Sequence, residues 1–267
     1  FGPVPTILGM EWLHYLPIAT TVLSVVFMRT LLARWRERGG MHLAWWAFGV
    51  FTYGVGTALE STITLFGNSA QLTQAWYIAG AVWGGYPLAQ GSVWLLAKPR
   101  TAKILTAITL SYALALSALV LLSPLNAEAV DAARPSGAVI GWQWVRLCSP
   151  LLNGYAAVFL IGGAAVSAIR YFKLRTPGMR ERAVGNTFIA LGALLPGIGG
   201  GMAKAGMVEA LYLGELVGLI LIWLGYRWCV TAPLLDSTAS SASSHPSPSG
   251  PEPGPAPAAD SSADAAG

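Results

Sequence analysis

Apolar residues gather in seven long runs, roughly 13–33, 43–66, 74–97, 103–123, 144–169, 186–205 and 208–230, separated by short polar or charged stretches. A membrane-crossing helix needs about 20 apolar residues in succession. The pattern therefore predicts an all-α, polytopic integral membrane bundle of seven transmembrane helices over residues 1–235. The first run lacks the basic segment and small-residue cleavage site of a signal peptide. A chain that opens on Phe1 instead of Met is open to being a processed or trimmed product.

The charge distribution predicts an orientation. Thirteen of the sixteen Lys and Arg fall at the first, third and fifth connections or at the end of the last run; Arg134, Arg146 and Lys204 fall on the other side. The positive-inside rule then places the N-terminus outside and the C-terminus in the cytoplasm of a multi-pass protein of the cell membrane. Composition agrees with a lipid environment: 10% charged residues and a mean hydropathy of +0.56, against about 25% charged residues in soluble domains. The 11 Trp suit an aromatic belt near the helix ends. The basic face should attract anionic lipid head groups, and this bound interface leaves no case for nucleic acid as a partner.

Residues 236–267 differ in kind. They are Ser, Pro, Ala and Gly with four acidic residues and no Lys or Arg, which predicts a disordered cytoplasmic tail. Cys148 and Cys229 fall at opposite ends of the bundle, too far apart for a disulfide.

Small residues mark predicted helix contacts. Gly80 and Gly84 in the third run, and Gly214 and Gly218 in the seventh, have the spacing that lets backbones approach closely. Packing within the chain is the preferred reading, with a homodimer contact as the alternative. The sixth run reads GALLPGIGGGMAKAG. Pro196 removes a backbone donor, and Gly199 and Gly200 among the glycines that follow lower helix propensity. A kink or unwound gate is expected there, and a second kink at Pro87 in the third run. Gln90, in the same run, reads as an interhelical hydrogen bond.

The best chemical pointers are ionisable groups within the runs. Glu60 lies late in the second and Glu215 early in the seventh, so opposite chain directions bring both to the same, outer half. Gly49, Tyr53, Gly56, Thr57, Glu60 and Thr64 recur at helical spacing and form a small, polar stripe that should face the interior. Tyr212 shares a face with Glu215, and His14 and Arg146 lie at similar depth. A polar outer cavity lined by these groups is expected. A carboxyl group in such a place is either neutral, donating a hydrogen bond, or ionised beside a cation such as Arg146, Lys204 or His14, and one that changes state can carry or sense a proton.

Other chemistries fail on spacing. His14 and His42 lie at opposite ends and cannot share a haem iron, and the seventh run has no Lys for a retinal Schiff base. No metal site and no catalytic motif is legible, so no enzyme is expected. The favoured reading is receptor-like or sensory binding of a small or lipid-like ligand, passed on to a partner protein. A small-solute or proton-coupled transporter and an accessory structural subunit of a membrane complex are the alternatives.

Overall fold

The computed structural model describes residues 11–132, 134–174 and 178–232. The predicted tail 236–267 and the side chain of Lys204 lie outside what is described. A 3-10 turn, Glu11–Tyr15, leads into α1 (Leu16–Arg38) and α2 (Met41–Phe66). The third helical segment is composite: α3 (Ala70–Trp76), a π-helical turn (Tyr77–Val82) and α4 (Tyr86–Leu96). After α5 (Pro99–Leu122) comes a fifth, also composite, segment of α6 (Gln143–Arg146), α7 (Ser149–Ala156), a second π-helical turn (Ala157–Gly162) and α8 (Gly163–Leu174). Two long helices close the chain, α9 (Met179–Lys204) and α10 (Val208–Thr231). No strand occurs among the described residues, and Leu125 and Ile140 form one isolated bridge.

The protein is an all-helical membrane bundle. Five segments are long and apolar enough to cross a bilayer: Leu13–Arg38, Pro99–Leu122, Gln143–Leu174, Met179–Ala203 and Val208–Thr231. The second and third segments are not among the five; α2 carries the polar stripe and the third is interrupted. Neighbours run in a closed circuit: α1 against α2, α2 against α4, α4 against α7 and the second π turn, α8 against α9, α9 against α10, and α10 back against α1. Gly39 and Gly40, with φ of 67° and 96°, make the abrupt reversal between α1 and α2 that a side-chain-bearing residue adopts only under strain.

The interior is layered. Towards the end that carries the arginines, Phe27, Leu31, Leu43, Ala47, Val50, Leu88, Leu219 and Tyr226 form an apolar core. Towards the far end the buried groups of α1, α2 and α3 turn polar, with Thr20, Ser24, Thr57, Glu60, Ser61 and Thr73. A second apolar cluster, including Tyr86, Leu116, Val120, Ile140 and Val145, joins α4 and α5 to the 123–142 connection.

The α9–α10 contact is the most extensive helix pairing, and glycine makes it possible. Gly185, Gly192 and Gly199 recur every seven residues along α9. A Cβ on Gly192 would stand 2.5 Å from the Gly218 carbonyl oxygen, and one on Gly199 2.7 Å from that of Ala210. On α10, a Cβ on Gly218 would stand 2.6 Å from the Gly192 carbonyl oxygen. Gly214 and Gly218 thus serve packing within the chain. The third-segment pair behaves differently: Gly80 faces Gly56 of α2, whereas a Cβ on Gly84 would strike the Gly80 carbonyl of its own segment.

One expected break is corrected and the other falls a few residues earlier than expected. α9 stays α-helical from Met179 to Lys204 with Pro196 inside it, so the unwound stretch expected at Gly199 and Gly200 is not observed. Gly199 packs against α10 backbone and the Pro196 ring abuts Gly218, so tertiary contact outweighs the propensity of each residue. The real break lies at residues 83–85, before α4, and Pro87 occupies the first turn of α4 instead of kinking a continuous helix. One freed carbonyl, that of Trp83, accepts the Thr52 hydroxyl at 3.0 Å.

Gln90, fully buried, is a hub between helices, as its position predicts. Its amide nitrogen donates to Thr106 at 2.6 Å and its oxygen accepts from the Tyr155 hydroxyl at 2.6 Å. Leucine at this position leaves Tyr155 without its acceptor and is expected to destabilise the bundle by about 1.5 kcal/mol, read as a lowered unfolding midpoint in detergent. An unchanged midpoint would mean that the hub is energetically idle.

Candidate functional site

The two glutamates meet. α2 carries Tyr53, Thr57 and Glu60 on one face, at spacings of four and three, and α10 brings Tyr212 and Glu215 towards them. Glu60 is 1% exposed and Glu215 is half-buried. Their carboxyl groups lie within hydrogen-bonding reach of each other. Trp76, at the end of α3, donates its indole N–H to Glu60 Oε1 at 2.7 Å. The remaining oxygen of Glu60, Oε2, is buried and receives no N–H or hydroxyl donor from the described residues, and the same holds for Glu215 Oε2. Two carboxyl groups at such a separation form a hydrogen bond only with a proton on one of them.

The surroundings fix this geometry. The Tyr53 hydroxyl donates to the Glu215 backbone carbonyl at 3.0 Å, tying α2 to α10. The hydroxyls of Thr57 and Thr21 lie 2.9 Å apart, linking α2 to α1, while Thr57 also donates to the Gly54 carbonyl. Tyr212, 1% exposed, lies near both carboxyl groups and near Glu209.

Two expected members stand apart. His14 pairs with Glu209 at 3.7 Å, both about one-third exposed, and sets its ring edge-on to Tyr212 with centroids 6.1 Å apart. It is therefore one layer out from the carboxyl pair, at the rim. Arg146 sits in the fifth segment, where its backbone carbonyl accepts from Ser149 and its guanidinium lies near Gly137. It makes no ion pair with either glutamate; the ion pairs among the described residues are His14–Glu209 and Arg134–Asp131. Both His14 and Arg146 have the right depth, but only His14 is on the right side of the circuit.

The sequence pattern did not single out two participants. Trp76 reads as one more belt tryptophan, because the π turn and break that follow it set the rotation of the third segment. Arg134 counts only as a charge in the chain, yet its guanidinium donates to the Ala203 carbonyl at 2.9 Å and caps the far end of α9. Asn68 holds the same connection by donating to the Asp131 and Arg134 carbonyls at 2.7 and 3.2 Å. The 123–142 connection is thereby strapped between the α2–α3 corner and α9, at the end of the bundle where the carboxyl pair lies.

No family profile, no curated protein and no solved structure matches the chain.

Proposed function

We propose that this chain is a receptor-like sensory module of the cell membrane, with seven crossings and its N-terminus outside. Its reading element is the Glu60–Glu215 pair. The observation that carries this reading is the pairing of buried Glu60 with half-buried Glu215 where α2 meets α10, with Trp76 holding one oxygen of Glu60 and no cation among the described side chains holding the other. The signal is a proton, or a small ligand that supplies hydrogen-bond donors to the same oxygens. His14 and Glu209 at the rim, followed by Tyr212, form a polar route from the partly exposed surface to the pair.

Loss of the proton leaves two like charges in contact and favours separation of α2 from α10. The titratable and charged groups facing the pair are Tyr53 of α2, Tyr212 and Glu209 of α10, and His14 beyond Glu209. A movement of α10 passes to the basic end, where the apolar core joins it to α1, and a partner protein reads it there.

The test is a pulsed spin-label distance between Arg36 and Trp228, exposed positions at the basic ends of α1 and α10, in a background lacking Cys148 and Cys229. The distance is expected to change with pH in the wild type and to stay constant in Glu60→Gln. Constancy in both sinks the sensory reading. A proton-coupled transporter is the second reading, favoured by the break at residues 83–85 next to the π turn that follows Trp76, since interrupted helices build transport sites. Proton flux into proteoliposomes that vanishes in Glu60→Gln would favour it.

A further inference from the structure

The last two turns of α10 carry Trp223, Arg227 and Thr231 in one row and Leu224 and Trp228 in the next, by their spacing of four. These five residues line a groove of about 450 Å³ on the bundle surface. It is bounded on one side by α1, where Trp223 stacks on Phe27 at 5.7 Å, and on the other by α9, where Trp228 meets Phe188 edge-on at 5.8 Å. The carboxyl pair lies at the other end of α10.

The groove joins two chemistries. Leu224 and the indole faces are apolar, and Trp228 and Arg227 are exposed. Arg227 makes no ion pair among the described residues. The neighbourhood is basic: Arg34 and Arg38 of α1, with Glu37, lie close to Tyr226, and Arg182 of α9 lies close to Cys229. An occupant must supply negative charge for Arg227 and apolar surface for Leu224 and Trp228. We propose that the groove is a binding site for an anionic phospholipid. Arg227 holds the headgroup phosphate, and the first acyl methylenes lie along Leu224 and Trp228.

The test uses the full chain in nanodiscs of equal phosphatidylglycerol and phosphatidylcholine, released gently for native mass spectrometry. The wild type is expected to retain phosphatidylglycerol in preference to phosphatidylcholine. Arg227→Ala is expected to reduce that preference about fivefold and Arg227→Lys to keep most of it. Arg227 is exposed, so its variants should fold, and unfolding midpoints check this. Three results would overturn the site: equal retention of the two lipids by the wild type; a preference unchanged in Arg227→Ala but lost in Arg36→Ala/Arg38→Ala; or displacement of the lipid by millimolar inorganic phosphate, which would assign the groove to a free anion.

Discussion

Valine at Gly192 is expected to destabilise the bundle by about 3 kcal/mol or more, among the largest effects of any single substitution in α9. The reason is geometric. The first added carbon stands 2.5 Å from the Gly218 carbonyl oxygen and 2.9 Å from the Ile222 nitrogen. Both are backbone atoms of α10, so no side-chain rotation relieves the contact and the helices must part. Gly197 supplies the control. A Cβ there meets nothing within 4 Å, so Gly197→Ala should gain about 0.5–1 kcal/mol from helix propensity alone. Thermal unfolding in detergent, followed by circular dichroism, separates the two. A Gly192→Val protein as stable as the wild type would mean that α9 and α10 do not pack through this seam.

Alanine at Glu60 is expected to cost about 3 kcal/mol, whereas glutamine costs less than about 1 kcal/mol. Truncation leaves the Trp76 N–H and the Glu215 carboxyl group without partners and opens a void beside them. Glutamine keeps the shape: its oxygen accepts from Trp76 and its amide donates to Glu215 with no proton needed. The two variants also differ from the wild type in pH dependence. On the proposed reading, raising the pH draws off the shared proton, leaves like charges in contact and weakens the α2–α10 contact. Stability should therefore fall as pH rises, in the sense of linkage to proton release. In Glu60→Gln that slope should flatten. Unfolding midpoints across a pH series, for both variants beside the wild type, check the sign.

What the chain reveals before folding is depth. Glu60 and Glu215 lie at matching distances from the far ends of antiparallel runs, so their common level follows from counting residues, and the small, polar face of α2 follows from spacing alone. The side of the circuit on which a residue sits does not follow. His14 and Arg146 share that depth, but Arg146 belongs to the fifth segment, packed against α4 and α5, away from α10. Local propensity misleads in the same way at Pro196: proline and glycine argue for an unwound helix, while the heptad Gly185, Gly192 and Gly199 argues for a close seam, and the seam prevails because a whole helix face contributes to it. At Trp83 the balance goes the other way. Pro87 has no N–H for the Trp83 carbonyl four residues before it, and the Thr52 hydroxyl of α2 donates to that carbonyl instead, a tertiary provision invisible in the run of apolar residues.

The most direct measurement is infrared spectroscopy of the carboxyl carbonyl stretch in reconstituted protein at neutral pH, comparing the wild type with Glu60→Gln and Glu215→Gln. A proton shared between Glu60 and Glu215 gives the wild type a band from one protonated, hydrogen-bonded carboxyl group, and each glutamine variant loses it because its amide replaces the shared proton. A wild type without that band, or a band that persists in both variants, would contradict the shared proton at the centre of the site.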